Sequence, residues 1–188
     1  MKNQRVKIVL NAPVILGFSA LCLIVTILGM SHGNILHNWF TTYRAPLSSP
    51  WTYFRAFSHV LGHVSWTHFA GNICYILLLG PMLEEKYGGR RIAGVILLTA
   101  LATAIVNFIF FPNAGILGAS GVVFAFILLT SFTGFGSGEI PITFLLVAAI
   151  YVGQEVVNGL LVADNISQMA HIIGGAVGAL AGWSWNRR

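Results

Sequence analysis

Apolar runs of bilayer-crossing length decide what class of structure this chain can adopt. A helix needs about 17–25 predominantly apolar residues to cross the hydrocarbon core of a membrane. Six runs stand out, at roughly 12–30, 66–83, 92–111, 120–134, 141–161 and 169–185, and they take up most of the 188 residues. Charged residues make up only 8% of the chain against 56% hydrophobic, too little charge to keep a soluble domain dispersed. Backbone polar groups in lipid must be satisfied internally, which leaves helices for runs of this kind. The expectation is an all-α membrane protein, a single domain over 1–188 with six transmembrane helices and a long first loop.

Charge orients the bundle. Lys2, Arg5 and Lys7 precede the first run, Lys86, Arg90 and Arg91 separate the second from the third, and Arg187 and Arg188 follow the sixth. Six spans bring all three groups to one side, the cytoplasmic side by the positive-inside rule, with both termini there. Arg44 and Arg55 fall on the other side. The net charge of +5 is scattered over loops, so no nucleic-acid surface is expected. Val14 to Met30 after basic residues resembles a signal peptide, but no small-x-small cleavage pattern follows, and an uncleaved first helix is expected. Cys22 and Cys74 lie inside spans and read as reduced packing residues, with no disulfide or zinc spacing.

The connection from about Ser31 to Ser65 carries Trp39, Tyr43, Trp51 and Tyr53, broken by Pro46 and Pro50. Such aromatic residues favour the membrane interface. The loop is expected to lie partly in the outer leaflet, with short helices near 35–42 and 51–58. The fourth run is short, roughly 21 Å from Ser120 to Gly134 against a core of about 30 Å. Ser120 is then expected about 10 Å below the outer surface. The preceding 112–117 stretch should be irregular there, beside a protein-lined cavity that holds water.

Polar groups are costly at that depth and mark candidate sites. Ser120 sits in Gly118-Ala119-Ser120-Gly121, a small-residue turn that exposes a hydroxyl. Serine is a weak nucleophile until a base takes its proton, and His171 is the plausible base. Gly174, Gly178 and Gly182 repeat every four residues after it, a flat stripe that lets another helix approach closely. With Gly118 and Gly121 on the facing element, the spacing predicts a Ser–His contact. No acid stands where it would complete a triad, so a dyad is expected. His68 and Asn72, one helical turn apart on one face, can donate hydrogen bonds to an oxyanion together with the Ser120 N–H.

The set Gly118-Ala119-Ser120-Gly121, His68-x-x-x-Asn72 and Ala170-His171-x-x-Gly174 resembles the rhomboid family of intramembrane serine proteases, in its six-helix bacterial form. The resemblance implies a Ser120–His171 dyad, His68 and Asn72 in the oxyanion hole, and no metal or organic cofactor. It implies cleavage of transmembrane segments of membrane proteins near the outer face, from a bacterial inner (cytoplasmic) membrane. Arg55 resembles the arginine of the family's Trp-Arg loop motif, although Phe54 stands where the tryptophan would. Leu79-Gly80 and Glu84 to Gly88 resemble the end of the second helix. Phe124 replaces a tyrosine that packs on the catalytic histidine in bacterial members, and His63 falls near the active-site mouth.

Each feature has a plainer reading. A Gly-x-Ser-Gly alone serves helix packing, and a lone histidine or a His-x-x-x-Asn pair serves interhelical hydrogen bonding. His59-x-x-x-His63 would put two imidazoles on one helix face, but the zinc-protease pattern needs a glutamate where Val60 stands. Ordinary loop hydrogen bonding suffices for both. Glu155, with Gln154 and Asn158, forms a polar upper end of the fifth run. The rival functions are a catalytically silent rhomboid-like factor that binds membrane proteins and a small transporter, which would want inverted repeats. The sequence does not give the oligomeric state.

Overall fold

The computed structural model describes residues 9–133 and 165–186, with isolated positions between 142 and 153. The described elements are α1 (Pro13–Ser31), α2 (Gly33–Phe40), α3 (Pro50–Ser58), α4 (Trp66–Tyr87), α5 (Gly89–Phe110), α6 (Ser120–Ser131) and α7 (Asn165–Trp185). A 3-10 turn at His59–Leu61 follows α3. Among the described residues there is no strand, and a lone antiparallel bridge joins Thr42 to Ile116.

Local chemistry sets the helix ends. The Ser65 hydroxyl accepts the His68 N–H at 3.1 Å and caps α4, satisfying one orphan donor of its first turn. Gly88, at φ 85, stops α4 and lets α5 begin at the next residue, a conformation that glycine adopts without a Cβ penalty. The helices therefore run closer together than the apolar runs suggested. Lys86, Arg90 and Arg91 sit on helix ends instead of in a loop, because charged side chains continue a helix into the headgroup region without leaving water.

By length and composition, two described helices can cross a membrane: α1 and α5, each with mean hydropathy 2.4. The 22 residues of α4 are long enough, but Glu84, Glu85, Lys86, His68 and Asn72 dilute its apolar character. α6 is apolar but has only 12 residues. The run expected at 141–161, with Gln154, Glu155 and Asn158, lies outside the described residues except for six scattered helical positions. Leu21 and Ile24 of α1 and Leu97, Leu98 and Ile109 of α5 point outward, an apolar surface suited to lipid.

α6 occupies the middle of the bundle, packed on α4, α5 and most closely on α7. Val122, Phe126 and Leu129 are fully enclosed there. Cys22 is buried in the same core, whereas Cys74 is exposed on α4. The packing role expected of both cysteines therefore holds for Cys22 alone.

One end of the bundle is tied by Glu84. Its two carboxylate oxygens accept the Val14 and Ile15 N–H groups, each at 3.0 Å. These are orphan donors of the first turn of α1, which has no side-chain cap of its own. A carboxylate there also meets the positive end of the helix dipole. Replacing Glu84 by alanine would leave those amides buried and unpaired. We expect a loss of roughly 2–4 kcal/mol, read as a lower unfolding temperature in detergent, with Glu84→Gln intermediate.

The first loop folds as a layer across the opposite end. Trp39 meets Trp51 at 4.5 Å and Phe54 at 6.0 Å between ring centroids. Arg55 is buried beneath, its guanidinium 4.4 Å from the Tyr43 ring centroid and donating to the Asn38 carbonyl at 3.2 Å. The loop arginine thus anchors α3 to α2, and Trp51 lies 6.0 Å from Phe54, which stands in the family's tryptophan place.

Candidate active site

Ser120 is the first residue of α6, and its placement starts two residues earlier. Gly118 has φ 122, a backbone conformation open in practice to glycine. Its N–H donates to the His59 carbonyl at 2.9 Å. A Cβ at Gly118 would lie 2.8 Å from His68 Nε2 and 3.9 Å from Asn72 Nδ2. The turn therefore needs glycine twice, for its dihedral and for the approach of α4. His68 and Asn72 converge on this turn from one face of α4.

α7 closes the other side. A Cβ at Gly174 would stand 2.0 Å from the Gly121 carbonyl oxygen, and one at Gly178 would stand 2.0 Å from that of Ala125. The two helices touch backbone to backbone along this stripe, the close approach that small residues permit in membranes. A Cβ at Gly121 would in turn lie 3.4 Å from the Ala170 carbonyl, so His171 enters the bundle beside the serine turn. Its imidazole stacks flat on Phe124, with centroids 4.1 Å apart and planes 8° apart. Phe124 follows Ser120 by one turn of α6, and it keeps this stacking without the hydroxyl of a tyrosine.

A cavity of about 260 Å³ opens at this point, lined by Ser120, Gly118, His68, Thr103, His59 and Ser167 among others. Asn72 Nδ2 and His68 Nδ1 are buried without a hydrogen-bond partner among the described residues. Buried polar atoms of this kind are costly unless a ligand or water completes them.

His59 and His63 depart from expectation. The 3-10 turn ends at Gly62, whose backbone is extended, so the two imidazoles do not share a helix face. His59 is 2% exposed. Its Nδ1–H donates to the Arg55 carbonyl at 3.1 Å and its Nε2 lies 3.2 Å from the Thr103 hydroxyl. The residue bolts the loop to α5 while its carbonyl holds Gly118. His63 is fully buried, donating from Nδ1 to the Leu61 carbonyl at 3.2 Å, with its ring 5.0 Å from that of His68. Sequence reasoning missed His59, Thr103 and Ser167 as lining residues. Three scattered polar positions carry no shared spacing that would have joined them.

Burial pushes both loop histidines down, each to about 4; the neighbouring His68 imidazole adds to the effect at His63. Their ordinary value is near 6.5, so the unfolded chain binds protons that the folded one refuses. Stability is then full above about pH 6.5 and falls as pH drops from there toward 4. The unfolding temperature should decline over that window, with a smaller decline in His59→Asn.

Comparison with known proteins identifies the scaffold. The Rhomboid domain signature matches residues 50–188. The chain belongs to the rhomboid family. This rhomboid is similar to Rhomboid-related protein 2 of Mus musculus, 30% identical over 167 residues, 78% of this chain and 55% of that protein. It is also similar to RHOMBOID-like protein 7 of Arabidopsis thaliana, 28% identical over 127 residues, 64% of this chain and 39% of that protein. Rhomboid-related protein 1 of Caenorhabditis elegans is 26% identical over 135 residues, covering 67% and 38%. The chain spans about half the length, or less, of these curated relatives. With its apolar helices, membership makes this rhomboid a membrane protein.

Proposed function

We propose that this rhomboid is an intramembrane serine endopeptidase that cuts transmembrane segments of other membrane proteins near their outer face. The observation that supports the reading is the backbone contact of α6 and α7 at Gly121 and Gly174, which packs the helix carrying His171 against the helix that Ser120 opens, beside a cavity of about 260 Å³ lined by Ser120 and His68. Ser120 Oγ attacks the scissile carbonyl and His171 takes its proton. The tetrahedral oxyanion forms against His68, Asn72 and the Ser120 N–H, donors that favour the transition state over the planar amide. Collapse expels the amine with the proton from His171, leaving an acyl-Ser120 ester. Water, deprotonated by the same imidazole, then releases the acid. The chemistry needs no metal or organic cofactor.

The substrate is a membrane protein whose helix unwinds locally, since a regular helix hides its amides. The same reading takes the protein to be a bacterial-type member of the inner membrane, with six spans and both termini cytoplasmic. The full chain in liposomes, with a tagged single-span reporter, should yield one new terminus inside the reporter's apolar segment, mapped by mass spectrometry. An uncut but co-purifying reporter would favour a silent binding factor.

A further inference from the structure

A second cavity, of about 720 Å³, lies at the outer end of the bundle against the first. The two share Val64, Gly115 and Leu117 in their linings, so they adjoin, and the flank of a chain lying over Ser120 would come up against it. We infer that Arg44 makes this outer cavity a cationic subsite for an acidic side chain on the extramembrane flank of the cleaved protein. The inference rests on the endopeptidase reading above and adds a specificity to it.

Arg44 is exposed but held. Thr42, two residues before it, exchanges both backbone hydrogen bonds with Ile116, at 3.0 and 2.9 Å. The Asn107 amide ties the two strips together, donating to the Ala114 carbonyl at 3.1 Å and reaching the Thr42 carbonyl at 3.5 Å. The strip that carries Arg44 is thus bound to the strip that leads into Ser120. The guanidinium rests over the Phe108 ring at 5.6 Å, a cation–π contact that limits its wandering. His37, stacked on Tyr43 at 5.1 Å, lines the same cavity.

Charge selects the occupant. Neither the 31–65 loop nor the 111–120 strip contains an aspartate or glutamate. Glu84 and Glu85 lie at the far end of α4, roughly 24 Å along the axis from His68. Arg55 is turned inward to the Asn38 carbonyl and the Tyr43 ring. Arg44 therefore lines the outer cavity as a cation without an acidic partner among the described residues, and its planar fork matches a carboxylate in bidentate fashion. Because the cavity adjoins the one at Ser120 across Val64, Gly115 and Leu117, the flank of a chain bound for cleavage brings that carboxylate within reach of Arg44.

The test uses the full chain in phosphatidylcholine liposomes with matched single-span reporters carrying Glu, Gln or Lys just outside the cut. Cleavage is measured for wild type and Arg44→Glu, and binding of the same reporters for the Ser120→Ala chain with and without Arg44→Glu. Wild type should favour the Glu reporter over the Lys reporter by about fivefold. Arg44→Glu should reverse that order and leave the Gln reporter unaffected. An order unchanged by Arg44→Glu overturns the subsite. So does an equal slowing of all three reporters, the mark of a lipid-phosphate or purely structural contact. If no reporter is cut, the endopeptidase reading fails separately; the subsite then survives only if binding still reverses with Arg44→Glu.

Discussion

Ser120→Ala should abolish reporter cleavage, with a loss of at least about 10⁴-fold, while the bundle stays folded. The side chain contributes little to packing: Ser120 is half-buried at the first position of α6 and borders an open cavity. The turn before it is held by the Gly118–His59 backbone hydrogen bond and by the glycine dihedral, neither of which the substitution touches. Unfolding temperature is therefore expected to change by no more than a degree or two. His171→Ala should lose activity to a similar extent, since nucleophile and base act as one unit and their losses do not add. Activity that persists in either variant would move the chemistry elsewhere.

Gly174→Ala should be nearly as damaging, for a reason of geometry. The new methyl would meet the carbonyl oxygen, carbon and Cα of Gly121 at 2.0, 2.7 and 2.9 Å. All three atoms are backbone, so no side chain can swing aside and the helices must part by roughly 1 Å or more. A displacement of that size at reacting groups can cost about 10²-fold, and overpacking adds about 1–3 kcal/mol of instability. Gly175→Ala is the matched control. Its methyl would reach only Leu128 side-chain carbons, at 3.7 and 3.8 Å, which is ordinary contact. We expect Gly174→Ala to lose about 100-fold in cleavage and Gly175→Ala to remain close to wild type. Equal activities would show that the α6–α7 approach does not set the site.

Much of the fold was legible because lipid imposes length and polarity rules on each segment separately. The apolar runs located the α1, α4, α5, α6 and α7 helices to within a few residues, and the small-residue stripe of α7 announced its contact with α6. Ser120, Gly118, His68 and Asn72 were each visible as polar or small residues in apolar surroundings, and the structure gathers them at one turn. Contacts between distant segments left no such trace. Glu84 reads as one charge in a cytoplasmic cluster, and nothing local announces that it caps a helix 70 residues away. His59 reads as a loop histidine because its partners, Thr103 and Gly118, come from two other elements. The α4–α5 junction also escaped, since charged helix ends look like loop when only hydropathy is followed.

The central claim is that the hydroxyl of Ser120 is made nucleophilic by His171 within the bundle. A fluorophosphonate probe reads this directly, since it phosphonylates a serine only when a base takes its proton. Labelling of the folded protein in liposomes should map by mass spectrometry to Ser120 alone and disappear in His171→Ala. Folded wild-type protein that takes no label, or label on Ser120 that persists undiminished without the imidazole, would contradict the account.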